Sequence, residues 1–226
     1  MLLELAAREY CPRCGSSLGP GLTAGDDGCG FCPQPMPRFR RLVRLAPYVH
    51  PMRGVIHRMK YHSGRRVPAY LARLLADAVA ARCGRDRPDL ILAVPMHWTR
   101  RLARGFDHAL ALAEAIGRRL GAPVGDELTR VRNTPPQVHL AASQRAANVR
   151  GAFAAADRST LRGAHVLLVD DVLTTGATCN EAARTLLSAG ASRLTVAVLA
   201  KAEAPAAYAD APDGGPQSRG IGFGGP

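Results

Sequence analysis

The run His165-Val-Leu-Leu-Val-Asp-Asp-Val-Leu-Thr-Thr-Gly-Ala-Thr178 constrains the fold of this chain more than any other segment. Four consecutive apolar residues, Val166 to Val169, read as a strand buried on both faces, which is the signature of a parallel sheet covered by helices. Two adjacent carboxylates, Asp170 and Asp171, follow where that strand is predicted to end. A small loop, Thr174 to Thr178, leads into a helical stretch from Cys179 to Ala189.

Ligands of open parallel sheets bind beyond the carboxyl ends of the strands. The first turn of the next helix presents unpaired N–H groups and the positive end of the helix dipole, which suit a phosphate. Gly176 and Ala177 let the backbone approach closely, and Thr174, Thr175 and Thr178 add hydroxyl donors. The carboxylates match sugar hydroxyls or the shell of Mg²⁺ better than a phosphate. The whole run therefore reads as a site for a phosphorylated sugar. A P-loop NTPase is excluded, because no Gly-x-x-x-x-Gly-Lys-Ser/Thr occurs and the two lysines, Lys60 and Lys201, lie outside any glycine-rich loop.

This run resembles the phosphoribosyl diphosphate signature of type I phosphoribosyltransferases. The resemblance implies that Asp170 and Asp171 bind the ribose 2′- and 3′-hydroxyls, and that Leu173, Thr174, Thr175, Gly176, Ala177 and Thr178 cradle the 5′-phosphate.

Apolar and turn patterns along the chain predict alternating strands and helices, hence an α/β parallel sheet. Residues 40–49 read as a strand. Leu71, Leu74, Leu75, Ala78 and Val79 mark an amphipathic helix. Leu90 to Val94 is a buried strand closed by Pro95. Asp107 caps a helix running to about Leu120, stopped by Gly121. Glu127–Val131 and Gly151–Ala155 read as short strands, and Leu194–Leu199 as another buried one. The polar segment between Arg130 and Gly151 reads as a lid or a disordered insert.

Four of the six cysteines form two Cys-x-x-Cys knuckles, Cys11/Cys14 and Cys29/Cys32, with fourteen residues between them. That spacing predicts a closed, structural Zn²⁺ site, with Gly15 and Gly30 supplying the tight turns. So short a segment has little core of its own, and metal supplies its folding energy. Cys83 and Cys179 read as packed thiols.

The boundaries expected are a zinc ribbon over 1–37, a ligand-binding domain over 38–203, and a disordered Ala/Gly/Pro-rich tail over 204–226. The tail's Gly220-x-Gly-x-x-Gly225 follows no strand and is not read as a dinucleotide site. No apolar run reaches the ~18 residues of a membrane span. The first ten residues lack a basic leader, so a cytoplasmic protein is expected. All but two of the 30 basic residues are arginine and the net charge is +12. GC-rich coding accounts for much of that, and affinity for nucleic acid stays open beside it.

Three further segments carry a wider resemblance. Val94-Pro-Met-His-Trp-Thr-Arg-Arg-Leu-Ala-Arg-Gly-Phe106 follows a buried strand and offers Arg100, Arg101 and Arg104 to a diphosphate. Arg130 to Phe153 includes Gln137, Leu140, Arg145 and Asn148. Met59-Lys60-Tyr61 holds one of the two lysines. With the knuckles and the 170–178 signature, these resemble the ComF family, competence-associated proteins that join a zinc ribbon to a type I phosphoribosyltransferase fold. The match spans residues from about 8 to 201 and departs at Asp107-His108, where Asn-Gln is expected.

The resemblance implies phosphoribosyl transfer from phosphoribosyl diphosphate with Mg²⁺, involving Asp170, Asp171, Arg104 and Arg145 in catalysis and Lys60, Arg100 and Arg101 in ligand binding. A non-catalytic sensor of the same ligand, and an accessory of the competence machinery that handles single-stranded DNA, remain alternatives. The oligomeric state is open, a homodimer included.

Overall fold

A computed structural model of the chain describes residues 9–61, 67–97, 106–135 and 140–203. Five parallel strands form the central sheet: β1 (Arg41–Pro47), β2 (Leu90–Ala93), β3 (Val124–Gly125), β6 (His165–Leu173) and β7 (Arg193–Lys201), in the order β1-β7-β6-β2-β3. A separate antiparallel pair joins β4 (Leu128–Arg130) to β5 (Phe153–Ala155).

The continuous apolar runs exist because both sheet faces are covered. Side chains alternate across a strand. Leu167, Val169, Ala197 and Leu199 therefore point to a layer built from three helices, α1 (Met52–Tyr61), α2 (Ala69–Cys83) and α3 (His108–Leu120). Val166, Leu168, Val196 and Val198 point to the other layer. There they meet Leu186 and Ala182 of α6 (Ala177–Ser188), Leu161 of the short α5 (Arg158–Leu161), and Phe153. Ile56, Leu75, Leu112 and Leu167 are fully buried on one side, as are Leu161, Val166 and Leu186 on the other.

Local signals for α3 act as expected. Asp107 accepts a hydrogen bond from the Leu110 amide at 3.1 Å, and Gly121 terminates the helix at φ 68°. For the segment after Arg130, the disordered-insert alternative does not hold over its described part. Rather than a structureless insert, its described part contains α4 (Ala142–Val149), which packs on α6. Its polar side chains bond backbone carbonyls of the same segment: Arg145 Nε donates to the Leu140 carbonyl at 3.1 Å and Asn148 to that of Pro135 at 3.1 Å. Glu181 on α6 accepts from the Gly151 amide at 2.7 Å, which fixes the entry to β5.

The cysteine module lies along the outer edge of β1. The Leu42 amide donates to the Pro12 carbonyl at 2.7 Å, and Arg13 reaches the carbonyls of Arg40 and Pro37. An edge strand is a liability unless something covers its unpaired groups. Among the described residues, no helix is long and apolar enough to cross a membrane.

Candidate functional site

Strand β6 continues beyond the four apolar residues to Leu173, so Asp170 and Asp171 lie within it rather than at its end. The reason is asymmetric pairing. Against β2 the ladder stops at Val169↔Ala93, while against β7 it runs on to Leu173↔Lys201. The two aspartates thus stand where the sheet opens on one side. Beyond them Thr174 and Thr175 lead to Gly176, whose left-handed φ of 79° turns the chain into α6. The Thr175 hydroxyl accepts from the Ala177 amide at 3.4 Å, and Thr178 stands in the helix's first turn.

The electrostatics are strained in a way that invites a cation. Desolvation, followed by the neighbouring charge of Asp171, pushes the Asp170 carboxyl up to about 7. The Asp171 amide, which donates to Asp170 at 2.8 Å, and Lys60 act against that rise, while Asp107 adds to it. Lys60 places Nζ 2.8 Å from Asp171 Oδ2. It is therefore an ion-pair partner of the site and not an isolated surface lysine. Its approach is set at the end of α1, where the Met59 carbonyl accepts from buried His108 Nε2 at 3.1 Å. His108 and Asp107 are the two departures from the expected Asn-Gln, and both hold positions at the start of α3.

Of the remaining residues expected at the site, Leu173 is buried and its carbonyl accepts from the Ala202 amide at 2.8 Å. Arg145 is bonded to its own turn, as above. Arg100, Arg101, Arg104 and Gln137 lie outside the described residues, as do the tail and its glycine motif. Half-buried Asp170 and Asp171 supply hard oxygen donors suited to Mg²⁺.

The four knuckle cysteines converge, with all their sulfurs within 4.8 Å of one another. Cys11 and Cys32 sulfurs are 3.7 Å apart, as are those of Cys14 and Cys29. Four thiolates at ~2.3 Å from a tetrahedral zinc stand about 3.8 Å from each other, so the cluster fits that ion. The Cys29 amide donates to Cys32 Sγ at 3.3 Å. Burial and the neighbouring thiols push Cys32 up to about 11 and Cys29 up as well. At Cys11 desolvation is overcome by backbone hydrogen bonds from Cys14 and Arg13, which lower it, so Cys29 and Cys32 need a cation to ionise beside it. Gly15 makes its expected turn at φ 76°, where a Cβ would come within 2.2 Å of Leu42. Gly30 lies in its expected turn, closed by the Cys32 amide donating to the Cys29 carbonyl at 3.0 Å, but without a positive φ. The left-handed φ falls instead at Gly28, at 105°, where a Cβ would lie 2.5 Å from Cys32 Sγ.

A network beneath the module escaped the reading of the sequence. Arg44 on β1 is 2% exposed. It donates to Ser17 Oγ at 2.8 Å, pairs with Glu203 at 3.6 Å and lies over the Tyr10 ring at 4.8 Å. Arg82 covers the same ring at 4.5 Å, which withdraws Tyr10 from any base-stacking role. A signal was available: Arg44 interrupts the apolar strand Leu42–Ala46, and a buried guanidinium requires a partner.

Residues 105–216 match the phosphoribosyl transferase domain family. The chain is 37% identical to the DNA utilization protein YhgH of Salmonella typhi over 193 residues, 83% of this chain and 82% of that one. It is 33% identical to competence protein F of Haemophilus influenzae over 204 residues, 88% and 87% of the respective chains. A purine phosphoribosyltransferase from Pyrococcus horikoshii Ot3 superposes with a TM-score of 0.39 at 20% identity, over 60% of this chain and 75% of that one.

Proposed function

The chain belongs to the ComF family, and from that premise we propose that it binds phosphoribosyl diphosphate with Mg²⁺ and transfers the phosphoribosyl group to a nitrogen acceptor. The observation that carries this reading is the opening of the sheet at Asp170 and Asp171, followed at once by the left-handed Gly176 and the first turn of α6.

In this reading Asp170 and Asp171 accept hydrogen bonds from the ribose hydroxyls. Leu173, Thr174, Thr175, Gly176, Ala177 and Thr178 surround the 5′-phosphate with backbone N–H and hydroxyl donors. Lys60, whose side chain is 23% exposed, exchanges Asp171 for a phosphate oxygen when the ligand arrives. Arg100, Arg101 and Arg104 act on the leaving diphosphate, and Arg145 does so from α4. Mg²⁺, when bound, neutralises charge on that diphosphate. The protein's own contribution is to hold the ribose, orient its C1 towards the acceptor and exclude water from an oxocarbenium-like centre.

We assign residues 1–37 to a structural zinc ribbon, 38–203 to the transferase domain and 204–226 to a tail, in a cytoplasmic protein. The test is calorimetric titration with phosphoribosyl diphosphate and Mg²⁺, followed by NMR detection of released diphosphate across a panel of bases. Saturable binding that disappears in the Asp170→Asn, Asp171→Asn double variant is expected, and diphosphate release identifies the acceptor. Equal affinity in the double variant overturns the site. Binding without release moves the protein to the sensor reading.

A role in handling single-stranded DNA is favoured by the net charge of +12 and by relatives named for competence and DNA utilization. Deleting residues 1–37 should then weaken single-strand binding more than an equal loss of arginine charge elsewhere.

A further inference from the structure

The cysteine module and the 173–178 loop stand at opposite ends of one short chain of contacts. The Cys11 amide donates to the Ser16 carbonyl at 2.9 Å, so closing the first knuckle also sets Ser17. Ser17 then donates its hydroxyl to Glu203 at 2.8 Å, and its amide faces both oxygens of that carboxylate at 3.2–3.3 Å. Arg44 completes the set. The Arg44 and Glu203 side chains are 1% and 4% exposed, so this charge pair is removed from water.

A buried pair of this kind is geometrically demanding. Removing one partner leaves an uncompensated charge, and the surroundings rearrange to reach solvent. Glu203 has little freedom of its own, because the residue before it is bonded to the loop. The Ala202 amide donates to the Leu173 carbonyl at 2.8 Å, extending the β6–β7 ladder by one rung past Leu173↔Lys201. Leu173 is the residue from which the 174–176 turn departs. Beyond Val169 the β2 side of β6 has no partner strand among the described residues, so β7 and its extension hold that end of β6 in register.

We propose that Glu203 is a positioning residue: gripped by Ser17 and Arg44, it anchors the end of β7, and through the Ala202–Leu173 bond it holds the phosphate loop, so that metal loading of the cysteine cluster governs loop order. The effect on ligand affinity rests on the phosphoribosyl diphosphate reading above. The effect on loop order does not.

The experiment is amide hydrogen exchange on the full-length, zinc-loaded protein, on the same protein after chelation, and on the Glu203→Ala, Glu203→Asp and Ser17→Ala variants. Exchange at residues 173–180 should accelerate about tenfold or more after chelation and in Glu203→Ala, while Leu167–Val169 keep their protection. Glu203→Asp, which retains the charge opposite Arg44, should recover part of the effect.

Calorimetry with phosphoribosyl diphosphate and Mg²⁺ should show a matching loss of affinity in Glu203→Ala. Unchanged exchange at 173–180 after chelation overturns the proposal. So does an equal loss of protection at Leu167–Val169, which marks general destabilisation. Should intact protein fail to bind the sugar diphosphate, the functional reading falls and the exchange experiment still decides the role of Glu203.

Discussion

Replacing Asp170 by Asn should stabilise the ligand-free protein at alkaline pH while removing the sugar-diphosphate binding proposed above. Asp170 holds its proton up to about 7 in the folded chain, because it is desolvated and stands beside the Asp171 carboxylate. Once unfolded it ionises near 3.9. The unfolded state therefore loses its proton first as pH rises, and folding becomes progressively less favourable between those two values. At about 1.4 kcal/mol per pH unit, the full difference amounts to about 4 kcal/mol above pH 8. Asn removes the charge, keeps the volume and keeps an oxygen to accept from the Asp171 amide. Lys60 remains opposite Asp171, so the substitution orphans no cation. Solvent at the open side of β6 and relaxation of the pair reduce the measurable gain to about 2 kcal/mol. Denaturant unfolding in metal-free buffer at pH 8 and pH 4 is the assay. Below about pH 4 both states hold the proton and the two chains should coincide within ~0.5 kcal/mol. An Asp170→Asn chain that is less stable than the parent at pH 8, or equally stabilised at both pH values, would refute the electrostatic account of this site.

Asp107→Asn should lower the titration point of Asp170 by removing a nearby negative charge, and leave stability at pH 4 unchanged within ~0.5 kcal/mol, since Asn caps as well as Asp. Carbon-13 NMR of the carboxyl groups checks the shift, and an unmoved Asp170 contradicts the coupling. His108→Ala should cost about 2–3 kcal/mol, through a cavity and an unpaired Met59 carbonyl. His108→Gln keeps a donor there and should recover much of that loss in the same unfolding assay. Gly28→Ala should weaken zinc binding about 10–100-fold, because its Cβ would crowd Cys32 Sγ and the left-handed φ resists a side chain. Competition against a chromophoric chelator measures it, and wild-type affinity would contradict the knuckle geometry.

Much of the site is legible in short stretches of sequence. The Asp170–Thr178 run, the two knuckles and the Asp107 and Gly121 ends of α3 are specified by neighbours within a few residues. Strand alternation, capping and metal-ligand spacing are local physics, and a sequence displays them directly. Expectation and structure part where local rules allow two answers. Gly30 and Gly28 flank the same cysteine, and only the backbone path decides which needs a positive φ. The polar stretch after Arg130 looks poor in core residues because its helix buries few side chains, Val149 among them, against α6 while its arginine and asparagine side chains bond backbone carbonyls of the segment.

What depended on tertiary structure is everything set by the strand order β1-β7-β6-β2-β3. Lys60 meets Asp171 where His108 bonds the end of α1 to the start of α3. Asp170 has no pairing partner on the β2 side, although inside a strand, because the β2 ladder ends at Ala93 while that of β7 runs on. Ser17, Arg44 and Glu203 come from the module, the first strand and the chain after the last one, and nothing in their local context announces the meeting. The chemistry available to this protein is thus written in short segments, each shaped by its own hydrogen bonding and periodicity. The charge balance around that chemistry is decided by side chains that only the packed sheet brings together, because Coulomb and desolvation energies depend on distance in space and not on separation along the chain.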